Sequence, residues 1–193
     1  MFSRDPRFAH VARINPRALS WRWYRFKELH AAQLYALLGL RLAVFSVEQQ
    51  CIYQDLDGLD DRAHHLLGCG RLARDQAPEA PRRRSDASLA LLAYARCLPP
   101  GLKGPQPSFG RVVVEPALRG QGLGHEVVRR ALLRCRRLYP GMDVRISAQA
   151  HLQRFYAAHG FRSVGEDYLE DGIAHREMLC SLALRRDSTR PQG

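Results

Sequence analysis

The sequence lacks most of the features that would take it outside a single folded domain. Its 193 residues hold no Ser/Gly-rich linker and no internal repeat, so the length reads as one α/β domain with a sizeable core. No apolar run reaches the roughly 20 residues that a bilayer span needs, and Met1 to Ser20 has no apolar h-region of a secretory signal. The expectation is therefore a cytoplasmic protein with no membrane partner. No two of the five cysteines, Cys51, Cys69, Cys97, Cys135 and Cys180, form a C-x-x-C pair, and their number is odd. That fits a reducing compartment and small core residues better than a disulfide scaffold, with Cys51 set apart in a polar loop. The acidic stretch Asp55 to Asp61 around Gly58 has no glutamate to close a calcium loop at its twelfth position, and no metal is expected.

Acid is scarce beside base. There are 19 Asp and Glu against 30 Lys and Arg, a net charge of +11, and almost all of the base is Arg. Such a surface attracts phosphates and nucleic acid. No basic motif interleaved with aromatics is present, however, and Arg129, Arg130, Arg134, Arg136 and Arg137 fall mostly opposite the apolar stripe of Val127, Val128, Ala131, Leu132, Cys135 and Leu138. They read as the solvated face of a helix, and nucleic acid is disfavoured as a partner. A monomer or homodimer is expected.

The chain divides into an Arg-rich, flexible extension at 1–20, one domain at 21–183 and a mobile tail at 184–193. Within the domain, Trp21 to Phe26 reads as a strand and His30 to about Val47 as a helix, with Leu34, Leu37, Leu38, Leu42 and Phe45 at helical spacing. His64 to Leu72 and Ser88 to Leu98 read as an antiparallel pair around a long Pro- and Arg-rich loop at 73–87. His64 and His65 alternate across that strand and cannot jointly hold a metal. A strand follows at Phe109 to Glu115, then a helix at Leu123 to Leu138 and a short strand at Asp143 to Ser147. A helix from about Leu152 stops at Gly160, and Asp171-Gly172 turns a final hairpin of Arg162 to Leu169 and Ile173 to Leu182.

Between the strand at 109–115 and its helix lies Arg119-Gly120-Gln121-Gly122-Leu123-Gly124. Glycines without a Cβ let main-chain N–H groups close on a pyrophosphate, and a helix N-terminus adds partial positive charge. The pattern lacks the Walker lysine with its Ser or Thr, and its glycines are not spaced as G-x-G-x-x-G. Neither an ATPase nor a Rossmann enzyme is favoured.

With the lead-in Val114, Pro116, Arg119 and Gly120, the segment resembles the R-x-x-G-x-G acetyl-CoA signature of the GNAT (GCN5-related N-acetyltransferase) family. Gln153-Arg154-Phe155-Tyr156-Ala157-Ala158-His159-Gly160-Phe161 is similar to that family's F-Y-x-x-x-G-F segment. Leu34 to Leu38, Arg41 to Glu48, Tyr53 to Gly58, Ala148 to Gln153 and Glu170 to Ile173 extend the resemblance to a bacterial branch, the ElaA-like proteins. It covers roughly Trp21 to Cys180.

The resemblance implies an α+β fold with a mixed, mostly antiparallel sheet flanked by helices, in which two central strands splay apart to admit the pantetheine arm of acetyl-CoA. It implies an acetyltransferase acting on a primary amine by direct attack in a ternary complex; a non-catalytic acyl-CoA sensor or partner-binding module is the rival. Main-chain groups of Val112 and Val114 would meet pantetheine, with the Val114 N–H polarising the thioester carbonyl. The segment Arg119, Gly120, Gln121, Gly122, Leu123 and Gly124 would hold the pyrophosphate. Gln149 would contact the cofactor where many relatives carry Asn. Tyr156 would be the general acid that protonates the departing thiolate.

The general base is less legible, because the place where some relatives carry a glutamate falls near Gly110. Glu48, Asp57, His65, His151 and His175 are the candidates, with Glu48 set as a catalytic residue and Glu48, Asp57 and His151 as acceptor contacts. The acid at Asp55 to Asp61, together with Glu48, is expected to recruit a cationic acceptor, a small-molecule or peptide amine.

Overall fold

Seven strands form one sheet in the order β1-β2-β3-β4-β5-β7-β6. They are β1 Ser20–Arg25, β2 His64–Gly70, β3 Ala90–Leu98, β4 Ser108–Val114, β5 Val144–Gln149, β6 Arg162–Glu170 and β7 Ile173–Cys180. The computed structural model describes residues 18–50, 54–71 and 89–181. The insertion at 73–87, the tail at 184–193, Cys51 and nearly all of the extension at 1–20 lie outside the described residues. Every neighbouring pair is antiparallel except β4 and β5, which run parallel.

Among the described residues three α-helices cover the sheet: α1 Ala31–Leu42, α2 Leu123–Leu138 and α3 Gln153–Ala157. The expected spans agree with these to within a few residues, and α2 agrees at both ends. α1 continues as a π-helical turn over Ala43–Glu48. Together, Ala31–Glu48 is apolar and long enough to meet the composition of a membrane span, which corrects the expectation that no such run exists. One face of it packs on the sheet. Leu37, Leu40 and Val44 pack on Leu67, Tyr94 and Val113 of the sheet, and the buried Arg41 in its middle is paired with two aspartates.

Strand alternation sorts the core into two faces. On one, Phe109, Val144, Ile146, Ala148, Met178 and Cys180 meet α2 and α3 through Val128, Ala131, Cys135, Tyr156 and Phe161. On the other, α1 covers β2, β3 and the end of β4. The Arg-rich side of α2 is partly a packing surface: Arg130 lies over the Trp21 ring at 4.9 Å and Arg134 over Trp23 at 5.2 Å. These cation–π contacts correct the reading of that side as merely solvated.

β4 and β5 part almost as soon as they meet. Their register holds a single pair, Ser108 with Arg145, joined by the Arg145 N–H donating to the Pro107 carbonyl at 3.1 Å. A bulge in β4 drives them apart. Between Tyr94 and Arg96 the β3 register passes over one residue while β4 passes over two, and Arg111 takes the extra place at φ 52°. A non-glycine residue there is held by its surroundings: the Arg111 guanidinium pairs with Asp55 at 2.6 Å and lies over Phe45.

Candidate active site

The gap left by the splay is a cleft of about 520 Å³ that passes through the sheet. One wall is Ser108, Phe109, Gly110, Arg111 and Val112 of β4, and the other is Arg145 to Gln149 of β5. Tyr156 reaches it from the α3 side; His175 and Glu177 of β7, and Tyr168, Glu170 and Asp171 of the hairpin, line it from the opposite side.

Val112 belongs to the wall, whereas Val114 lies just past its end. The Glu115 N–H donates to Leu92 of β3 at 2.8 Å. By the alternation of an antiparallel ladder, the main-chain groups of Val114 then face away from β3, toward the splay. The Val114 carbonyl there accepts from Arg119 Nε at 3.3 Å.

Next along the chain is the glycine-rich turn. Gly120 and Gly122 have φ of 76° and 83°, and Gly122 ends in the left-handed region as the residue before α2. A Cβ on either would meet open space within 4 Å, and one on Gly124 would only touch the Phe155 ring at 3.5 Å. The protein's own packing thus leaves free room above the first N–H groups of α2, as an anion pocket requires. The Arg119 side chain turns away from that room, its two terminal nitrogens held by both oxygens of Glu48.

That pairing decides the place of Glu48. Both its oxygens are engaged, and it is not part of the cleft wall; it braces the end of the π-helical turn against the glycine-rich turn. The acidic stretch is likewise occupied. Asp55 and Asp60 pair with the fully buried Arg41 at 2.8 Å each, and Asp57 holds Arg96 in a two-pronged contact of 2.7 and 2.5 Å. Burial works against the Asp57 charge, but the Arg96 hydrogen bond and charge outweigh it and hold the carboxyl well below the usual carboxylate range. Asp57 does line the cleft, as an anion already matched by two arginines. The long-range recruitment expected of this acid is therefore corrected: three aspartates face Arg41, Arg96 and Arg111, and the local charge cancels.

The histidines part company. His65 is buried, hydrogen-bonded to the Tyr94 hydroxyl and the Asp60 carbonyl at 2.8 and 2.9 Å, and away from the cleft. His151 is exposed on the turn Ala150–Leu152, and is not part of the wall. His175 does line it, with Nδ1 bound to the Ile173 carbonyl at 2.9 Å. Gln149 lines it too and reaches Gln49 at 3.2 Å, bridging β5 and the end of the π-helical turn.

Tyr156 is packed edge-on among Phe155 and Phe161 and tilted against Phe109. Its hydroxyl bonds to no described residue, and burial pushes its pKa up to about 12. A phenol so placed stays protonated at neutral pH and is available as a proton donor.

The GNAT acetyltransferase domain profile matches residues 101–182, and ElaA of Escherichia coli is 41% identical over 159 residues, covering 81% of this chain and 93% of ElaA. The chain belongs to the GNAT acetyltransferase family. Within it, it groups with ElaA and the UPF0039 proteins, of which one from Synechocystis is 41% identical over 161 residues, 83% of this chain and 94% of that one. Among solved GNAT structures, an acyl-CoA N-acyltransferase of Pseudomonas aeruginosa superposes with a TM-score of 0.70 at 43% identity, covering 84% of this chain and 99% of that one. E. coli ElaA superposes at 0.69 with 40% identity over the same shares. The protein is an acyltransferase of a family whose donors are acetyl-CoA or other acyl-CoA thioesters.

Sequence reasoning passed over Ser147, Tyr168, Glu170 and Glu177. For Ser147 and Glu177 the signal was present as alternation: apolar Ile146, Ala148, Met178 and Cys180 interleave with polar Ser147, Gln149, His175 and Glu177, which marks one polar sheet face; Tyr168 and Glu170 on β6 have no such pattern.

Proposed function

We propose that the protein transfers acetyl from acetyl-CoA to a primary amine by direct attack within a ternary complex. The observation that carries this is the through-sheet cleft, which has a buried phenol on one side and an open polar face on the other.

The free room over Gly120 to Gly124 fits a pyrophosphate, held mainly by the main chain of Arg119 to Gly124, so the side chains of Gln121 and Leu123 count for little. The splayed edge of β4 fits a pantetheine arm, with main-chain N–H groups of Val112 and Val114 as donors to its amides and to the thioester oxygen. A donor fixed at that oxygen stabilises the negative charge that builds there as the amine adds. Gln149 offers an amide to the cofactor once it leaves Gln49. Tyr156, dry and protonated, delivers a proton to the departing thiolate. The amine enters from the opposite, polar side.

The test is CoA release from acetyl-CoA across polyamines, aminoglycosides, amino acids and peptides with free amines, followed by mass because free cysteines confuse thiol dyes. Acetylation of any class supports the proposal and names the acceptor. Tight acetyl-CoA binding with no product from any of them overturns it in favour of an acyl-CoA sensor.

A further inference from the structure

On the open side of the cleft four side chains form one line of hydrogen bonds. The Ser147 hydroxyl of β5 lies 2.8 Å from Glu170 Oε2 and 2.5 Å from the Tyr168 hydroxyl, and that hydroxyl lies 3.1 Å from Glu177 Oε1. The register explains the meeting. Ser147 faces Glu177 across β5 and β7, and Tyr168 faces His175 across β6 and β7, so all lie on the sheet face that α2 and α3 do not cover. The turn at Asp171 and Gly172, both at positive φ, carries Glu170 at the hairpin tip over the cleft.

The line is one hydrogen short. Three oxygen-to-oxygen contacts need three protons. With both carboxylates in their charged form, Ser147 and Tyr168 bring only two. If Tyr168 donates to Glu177 and Ser147 to Glu170, two hydroxyl oxygens face each other at 2.5 Å with nothing between them. Whichever way Ser147 turns, one contact stays empty. A single proton taken up from the cleft completes the chain: Glu170 becomes the acid and donates to Ser147, Ser147 donates to Tyr168, and Tyr168 donates to Glu177.

We infer that Glu170 is the general base for the acceptor amine, with Ser147, Tyr168 and Glu177 as the hydrogen-bonded relay that makes it a proton sink. This rests on the reading of the cleft as an amine acetyltransferase site. An ammonium group entering the cleft loses one proton to Glu170; the neutral amine attacks the thioester carbon, the C–S bond breaks as Tyr156 protonates the thiolate, and the second proton shed by the new amide nitrogen returns to the Tyr156 phenolate. The two ends of the relay differ. Glu177 spends its second oxygen on Arg145 at 3.2 Å, whereas Glu170 Oε1 has no partner among the described residues and is the end left to the substrate. Tyr168 keeps its own proton, because burial pushes its phenol up and the neighbouring Glu177 carboxylate adds to the shift. Besides the relay itself and Tyr156 on the α3 side, the charged or titratable groups that line the cleft are Asp171 next to Glu170, Arg145 on β5, His175 on β7, Lys103, and Asp57 with its partners Arg96 and Arg111. On β4, Gly110 lines the cleft without a side chain, and a Cβ there would meet open space; Glu170 offers a carboxylate from across the gap.

The test compares two simple primary amines at high concentration, n-propylamine, which is charged at neutral pH, and trifluoroethylamine, which is already largely neutral there. A base that strips an ammonium before attack is needed only for the first. Glu170→Gln and Ser147→Ala are each assayed for acetyl transfer by mass, with acetyl-CoA affinity measured by calorimetry. The inference predicts that Glu170→Gln lowers kcat/KM for n-propylamine by about 100-fold or more, within the range of general acid–base catalysis, and for trifluoroethylamine by less than about 10-fold. Ser147→Ala should show the same asymmetry at smaller size, Glu170→Asp should recover part of the loss, and acetyl-CoA affinity should be unchanged. Equal losses for both amines, or none, overturn the relay while leaving the acetyltransferase reading intact. Failure of the unaltered protein to acetylate either amine, with acetyl-CoA bound, overturns that parent reading and the relay with it.

Discussion

The two halves of the sheet are built for opposite ends. From β1 to β4 both faces are covered, with α1 on one side and α2 on the other, and the charges placed there are spent on one another: Arg41, Arg96 and Arg111 against Asp55, Asp57 and Asp60. On β5 and β7 the described core covers only one face, and β6 at the edge is exposed along nearly its whole length. The other face carries Ser147, Gln149, Tyr168, His175 and Glu177, open to the cleft. Polar side chains in the first half hold an active-site loop and a strained strand in place; in the second they are left over for a substrate. The difference teaches that a charge is a functional candidate only after its internal partners are known.

Substitutions should separate the halves cleanly. The largest effect on stability belongs to the closed half. Arg41→Met removes the cation from between Asp55, 2% exposed, and Asp60, and should cost about 3–5 kcal/mol by urea unfolding. The same network sets an acid dependence. Asp57 and Asp60 are both lowered in the folded protein: burial opposes the shift, and pairing with Arg96 and Arg41 outweighs it. A lowered folded value means that the unfolded chain takes up protons first. Their contribution is therefore complete above about pH 4 and lost as pH falls through the folded values. Asp57→Asn should be less stable than the parent at pH 7 and should lose less on acidification below about pH 4.

In the open half the order of effects reverses. Tyr156→Phe keeps the ring among Phe109, Phe155 and Phe161 and removes a hydroxyl that bonds to no described residue. Melting temperature and acetyl-CoA affinity should hold while the rate of acetyl transfer falls by about 100-fold or more, the usual worth of a positioned acid. Unchanged turnover would remove the general-acid role. The smallest effect is expected on the outer surface. Arg129→Ala breaks an exposed pair with Glu126 on α2 and should change stability by less than about 1 kcal/mol by the same urea unfolding.

Much of this was legible in the sequence. Periodicity and turn signals placed the strands and helices, because apolar spacing reports directly on a packed face, and the motif around Tyr156 named one residue that lines the cleft. What failed was anything that depends on distant partners. Asp57 and Glu48 looked like unattached acid, yet Arg96 is 39 residues and Arg119 71 residues away in sequence. Arg130 and Arg134 looked solvated until the fold brought Trp21 and Trp23 beneath them. The proton relay joins Ser147 to Glu170, 23 residues on, through a strand register that no local pattern states. Alternation on β5 and β7 showed a polar face; the hydrogen bonds on it required the fold.

The most direct test of the whole account is a crystal structure of the protein with CoA. The account predicts the pyrophosphate over Gly120 to Gly124, the pantetheine arm between β4 and β5 alongside Val112, and the sulfur in the cleft between Tyr156 and the face that carries Ser147. CoA bound elsewhere, with the splay between β4 and β5 left empty, would contradict it.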